Sequence, residues 1–289
     1  MAIRPATLPA AVGPVLVGLG AAFGSGAAFR LGTALGCVAV GLLLQMAANL
    51  ANDLADFRRG ADTPDRTGPL RVAAAGLLTE RRLEMGIAVV VGVAALVGLY
   101  LAAVGGPAML VLGALAVVAL LAYTGGPWPY GYKGLGEVFV FAFFGLMATG
   151  VTAYLQAGRV EAVYLLAACP IGALVTAILV VNNLRDIPTD RAAGKRTLAV
   201  MAGERFAKVE FSAMLLVAAV VPVILLAAGL ARPAVLVALL PVVMVPPLVR
   251  EVAAAGPGTD RRRLNLVLRG TARLSLAYGV LFAIGLAVR

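Results

Sequence analysis

Apolar runs of about 20 residues follow one another along almost the whole chain, separated only by short polar breaks. Each is long enough to cross roughly 30 Å of hydrocarbon as a helix. Strands crossing a bilayer would alternate apolar and polar residues, and these runs do not. The pattern therefore predicts an all-α, polytopic membrane protein. Its expected spans are 8–29, 31–52, 85–104, 107–123, 135–156, 161–183, 206–229, 232–250 and 270–288, about nine transmembrane helices in a single domain covering 1–289. Composition agrees, with 62% hydrophobic residues, 13% charged residues and a mean hydropathy of +0.98. The first run continues without a convincing cleavage site, so no removable signal peptide is expected.

Several functions are excluded at once. There is no histidine, which removes His-assisted triads, HExxH zinc sites and His-ligated haem. Cys37 and Cys169 lie far apart inside apolar runs, so neither a disulfide framework nor a metal-binding pair is expected, and both read as packing residues. The net charge of +10 is spread over interhelical segments rather than a soluble domain, which argues against nucleic acid. It reads instead as membrane orientation. With the N-terminus cytoplasmic, nineteen Lys and Arg fall on the inside segments and four on the outside ones, with Arg273 inside the last span, as the positive-inside bias requires.

The acids are clustered. Six of the seven aspartates lie in two places, both at the expected cytoplasmic ends of helices. The first runs Asn49-Leu-Ala-Asn52-Asp53-Leu-Ala-Asp56-Phe-Arg58-Arg59-Gly60-Ala-Asp62-Thr-Pro-Asp65-Arg66. The second runs Asn182-Asn183-Leu184-Arg185-Asp186-Ile-Pro188-Thr-Asp190-Arg191-Ala-Ala-Gly194-Lys195-Arg196. Aligned on Asn52 and Asn182 they read as a diverged internal duplication, with pseudo-repeats of about 1–130 and 131–289. Steps of four place Asn52 with Asp56, and Asn182 with Asp186 and Asp190, on one face of a continuing helix. Pro188 is expected to kink the sixth helix near Ile187. Oxygen ligands without His or Cys suit Mg²⁺, which binds one or two carboxylates together with substrate phosphates. The interleaved Arg58, Arg59, Arg66, Arg185, Lys195 and Arg196 suit a diphosphate. The plainer reading of any one of these residues is a helix cap or a topology signal.

These two stretches resemble the paired aspartate motifs of the UbiA superfamily of intramembrane aromatic prenyltransferases. Asn52-Asp53-Leu-Ala-Asp56 matches the first motif, but Gly60 stands where a final Asp is usual and Asp62 follows two residues later, a departure similar to the dihydroxynaphthoate (MenA) branch. A third stretch, Tyr123-Thr-Gly-Gly-Pro-Trp-Pro-Tyr130-Gly-Tyr132-Lys133-Gly-Leu-Gly136-Glu137, resembles that branch too; read without the resemblance, its Tyr and Trp are interface anchors at a membrane-surface turn. The resemblance implies a Mg²⁺-dependent transfer from a polyprenyl diphosphate to 1,4-dihydroxy-2-naphthoate with loss of carbon dioxide, in the cytoplasmic membrane with the active face inside. It implies metal held by Asp56, Asp62, Asp186 and Asp190. Substrates would meet Asn49, Asn52, Arg58, Arg66, Asn182, Asn183, Arg185, Lys195 and Arg196. Catalytic groups would come from Asp53, Tyr123, Tyr130, Lys133 and Glu137, with cation–π attraction steadying allylic charge. Transfer to another acceptor such as 4-hydroxybenzoate is the alternative within the family. A cation-coupled transporter is the alternative outside it; its carboxylates belong at mid-membrane.

Overall fold

The computed structural model describes residues 3–60, 68 and 71–289, so Asp62, Asp65 and Arg66 lie outside the described residues. Among the described residues there are nine principal helices and no strands. They are α1 (Pro9–Gly24), α2 (Leu31–Arg58), α3 (Glu80–Gly105), α4 (Ala108–Ala122), α5 (Gly136–Ala157), α6 (Ala162–Ala192), α7 (Leu198–Ala227), α8 (Pro233–Ala254) and α9 (Arg261–Ala287). Seven are long and apolar enough to cross a membrane, and α1 and α4 are shorter apolar helices. Large apolar side chains such as Val89, Val93 and Leu96 on α3, and Leu110, Val111 and Leu115 on α4, stand exposed on the outside. An apolar exterior belongs in lipid, and the chain is a multi-pass membrane protein.

The helix count and order match expectation, but two ends differ in a way that matters. Helix α2 continues past residue 52 to Arg58, and α6 continues past residue 183 to Ala192. The first motif is therefore helical as far as Arg58, and the second as far as Ala192. Hydropathy marks where hydrocarbon ends, not where backbone hydrogen bonding ends. Helix α6 carries Pro188 within it and runs on to Ala192. A local break lies in α7, where Gly203 adopts φ +85°.

Helix α6 is the hub. Its apolar window is 72% buried, against 11% for α3, and it packs on α1, α5, α7 and α9. Its fit with α5 depends on Gly145 and Gly172: a Cβ on either would come 2.8 Å from the Cα of the other. In lipid, helices associate through such close contact of small residues. Gly145 sits in a π-helical stretch, Phe141–Met147, inside α5. Cys37 is buried as expected, whereas Cys169 is only half-buried, and neither forms a disulfide.

Candidate active site

The C-terminal end of α2 is met by the N-terminal segment and by Arg71 and Val72. Asn49 donates from Nδ2 to the Ile3 carbonyl and to Thr7 Oγ1, both at 2.9 Å, which ties the N-terminal segment to α2. Asn52 Oδ1 accepts from the Thr124 hydroxyl at 2.8 Å. Asp53 is buried; its Oδ2 accepts the Val72 N–H at 3.1 Å, and its Oδ1 meets no donor among the described residues. Asp56, also buried, accepts from Arg71 Nη2 at 2.5 Å and from the Tyr132 hydroxyl at 3.0 Å.

The end of α6 faces the same place. The Arg185 side chain is 1% exposed and forks onto its neighbour Asp186, Nε to Oδ1 at 2.7 Å and Nη2 to Oδ2 at 2.6 Å. It also donates to Asn182 at 2.7 Å and to Asn265 of α9 at 2.8 Å. Asp190 lies 3.8 Å from Lys195 Nζ, which stands 5.0 Å above the Tyr132 ring. Arg59 stands 5.2 Å from the centre of the same ring. Tyr132 thus joins the halves, its hydroxyl on an α2 acid and its ring against the Lys195 that follows α6.

The loop joining α4 to α5 closes the site. Tyr123 meets Tyr130 edge-on with centroids 5.4 Å apart, Tyr130 stacks on Phe139 at 3.9 Å, and Phe139 stacks on Phe143 at 6.1 Å. Burial raises the ionisation of all three loop tyrosines above the usual phenol range. For Tyr132 the nearby Asp56 adds to it, and for Tyr123 the charges of Glu137, Tyr130, Asp56 and Asp190 add to it. At neutral pH these phenols are donors. Glu137 is buried and accepts from Asn183 Nδ2 at 2.7 Å.

A model of the "UbiA prenyltransferase family" matches residues 11–286. The chain belongs to the UbiA prenyltransferase family. It is 40% identical over 284 residues, 98% of this chain and 94% of the relative, to 1,4-dihydroxy-2-naphthoate octaprenyltransferase from Mycobacterium tuberculosis. In fold it is similar to the apo structure of a UbiA homologue from Aeropyrum pernix K1, with TM-score 0.72 and 17% identity over 95% of this chain and 97% of that one. It is also similar to a UbiA homologue from Archaeoglobus fulgidus bound to GPP and Mg²⁺, with TM-score 0.62 and 15% identity over 97% and 98%.

Against that UbiA fold, the residues singled out from sequence divide into three groups. Asn52, Asp53, Asp56, Asn182, Arg185, Asp186, Asp190 and Lys195 stand on the facing ends of α2 and α6 and the turn after α6, with Tyr123, Tyr130, Glu137 and Asn183 alongside. Asn49, Arg58, Lys133 and Arg196 are engaged elsewhere or exposed, Asn49 being held by Ile3 and Thr7. Arg58 is about half exposed and pairs with Glu80 at 2.7 Å and Glu84 at 2.5 Å. Lys133 is exposed over Trp128 at 4.9 Å. Arg196 is exposed, and its backbone N–H, not its side chain, is bonded to the Tyr132 carbonyl at 3.0 Å. Asp62 and Arg66 lie outside the described residues. Sequence reasoning missed Arg71, counted only as a topology signal, and Asn265. The latter had a signal: the chain has five asparagines, four of them in the two motifs, and the fifth joins them in space.

The donor set suits a hard cation, being oxygen throughout. Among the described residues no three acidic side chains gather into a ready-made metal cage. That fits an ion which takes one or two carboxylates and completes its shell with substrate phosphate and water. The buried Asp53 oxygen without a donor is compatible with such an ion nearby.

Proposed function

We propose that the chain transfers a polyprenyl group from polyprenyl diphosphate to 1,4-dihydroxy-2-naphthoate, releasing diphosphate and carbon dioxide and giving demethylmenaquinol, the reduced, dihydroxy form of demethylmenaquinone. The observation that carries this reading is the 40% identity, over almost the full length of both chains, with a relative named for that reaction. Asp56, Asp62, Asp186 and Asp190 are the residues for Mg²⁺, the ion named with GPP in the archaeal homologue. When bound, Mg²⁺ supplies positive charge to the diphosphate.

The chain's own residues do the rest. Arg71 and Lys195 bring cations beside Asp56 and Asp190 and balance the charge that grows on the departing diphosphate as its allylic C–O bond breaks. The Tyr123–Tyr130–Phe139–Phe143 rings present π faces to the allylic cation that forms. The naphthoate ring then bonds to the allylic carbon, and its ring–carboxylate bond breaks, carbon dioxide leaving and the electron pair of that bond returning to the ring. Asp53 and Glu137 each hold a buried oxygen without a donor among the described residues, a position from which a carboxylate takes a substrate hydroxyl proton. Tyr130, a neutral phenol, serves as a donor. The active face lies on the cytoplasmic side of the bacterial membrane, a reading supported by the excess of Lys and Arg on the segments around the motifs.

The test is to incubate purified chain with Mg²⁺, farnesyl diphosphate and either dihydroxynaphthoate or 4-hydroxybenzoate, with an EDTA control, and to identify products by mass spectrometry. Prenylated, decarboxylated naphthoate that disappears with EDTA is expected. Product from hydroxybenzoate alone overturns the acceptor assignment.

A further inference from the structure

Pro188 interrupts the second motif, standing between Asp186 and Asp190. Proline has no N–H, so the carbonyl four residues earlier, that of Leu184, loses its helical donor. In a membrane protein such a carbonyl is tolerated where another part of the protein supplies one. Here the donor is Arg261 at the start of α9, whose Nη1 reaches the Leu184 carbonyl at 2.6 Å while its Nη2 is paired with Glu204 of α7. One helical turn on, Asn265 Oδ1 accepts from Arg185 Nη1 at 2.8 Å. Residues four apart share a helix face. A single face of α9 therefore meets the second motif at both its backbone and its side chains.

The sequence puts Arg185 among the substrate-binding residues, but its surroundings give it another part. Its side chain is 1% exposed. Four of its N–H donors are engaged, two by Asp186, one by Asn182 and one by Asn265. To reach a diphosphate it would abandon all four and draw its charge away from a buried carboxylate, which is costly. A guanidinium is planar and rigid, so fixing one edge fixes the other. Asn265 holds Nη1, and Nε and Nη2 hold the two oxygens of Asp186. A carboxylate has about four acceptor positions, so this fork orients Asp186 without exhausting it.

We propose that Asn265 and Arg261 position the second aspartate motif. Asn265 sets the Asp186 carboxylate through the Arg185 guanidinium, and Arg261 holds the backbone at the proline that separates Asp186 from Asp190. Both act through other residues, so both are positioning residues. The inference rests on the Mg²⁺ role given to Asp186 and Asp190 above. Removing a partner that orients a metal-binding side chain changes metal affinity or activity by about 10–100-fold.

The test is binding of radiolabelled farnesyl diphosphate to the full chain in lipid nanodiscs, at graded Mg²⁺ and with no acceptor, so that turnover is not the readout. Asn265→Leu offers Arg185 no acceptor, and the Mg²⁺ concentration for half-maximal binding is expected to rise by about 10–100-fold. Asn265→Asp keeps an oxygen at the same place and is expected to stay near the wild-type midpoint. Arg261→Met takes the donor from the Leu184 carbonyl and is expected to move the midpoint in the same direction as Asn265→Leu; it carries the test should Asn265→Leu not fold. An unmoved midpoint overturns the proposal whether or not the maximum falls, since a merely structural loss lowers the maximum alone. A shift in Asn265→Asp as large as that in Asn265→Leu overturns it too. Asp186→Ala separates this inference from the reading beneath it: Mg²⁺-dependent binding unchanged in that variant overturns the assignment of Asp186 to Mg²⁺ instead.

Discussion

Tyr132 is where the two halves of the site meet, and its hydroxyl and ring are separable by substitution. Tyr132→Phe keeps the ring against Lys195 and Arg59 but removes the hydrogen bond to Asp56. A hydrogen bond to a charged group is worth about 1.5–3 kcal/mol, so a fall in kcat of about tenfold or more is expected, with the fold retained by size-exclusion chromatography. Because burial and Asp56 hold this phenol above its ordinary range, it remains a donor wherever a free tyrosine would, and no alkaline loss of activity below about pH 10 should trace to it. The motif acids separate in the same way. Asp56→Ala and Asp190→Ala should both abolish turnover. The first should also destabilise the more, since it removes a carboxylate held at 2.5 Å by the buried Arg71 guanidinium, whereas Lys195 stands 3.8 Å from Asp190; thermal unfolding in detergent distinguishes them. The acids were legible in sequence because clustered carboxylates in an apolar chain are costly enough to stand out. Their cations were not. Arg71 reaches Asp56 across a loop, and one arginine among many gives no sign of which is buried.

At the level of helices, period and length placed every element, and the errors fell at the polar ends. The motif turns of α2 and α6 bond to distant parts of the chain, α2 to Arg71, Val72, Thr124 and Tyr132 and α6 to Glu137 and Asn265, a tertiary support that hydropathy does not contain. The crossing of α5 and α6 was equally hidden, since nothing in the sequence distinguishes Gly145 and Gly172 from the other glycines. Gly172→Val tests it. The added carbons meet Gly145 and the Phe141 ring, and overpacking of this kind costs about 1–3 kcal/mol. A lower unfolding temperature is expected, with turnover reduced in parallel because α6 carries Asp186 and Asp190. Gly92, whose Cβ position is open, is the control that should tolerate valine.

For the whole molecule, the orientation is open to direct measurement. In a chain with Cys37 and Cys169 replaced, cysteine at Lys133 lies on the motif face and cysteine at Arg159 on the opposite one. An impermeable maleimide added to intact spheroplasts should label the second only, and added to inverted vesicles the first only. Reversal of that pattern overturns the cytoplasmic assignment. The central place of α6 has a further consequence, for synthesis. It enters the bilayer before α7 and α9, the helices that later surround it, and Arg185 can donate to Asn265 Oδ1 only once α9 has been made. Arg261, at the start of α9, bonds to the Leu184 carbonyl of α6 and to Glu204 of α7. A nascent chain halted after α6 therefore holds both motifs but not the buttress behind the second. Ribosome-bound intermediates of increasing length should remain sensitive to membrane proteases until residue 265 has left the exit tunnel, so that a complete active face also certifies a complete polypeptide.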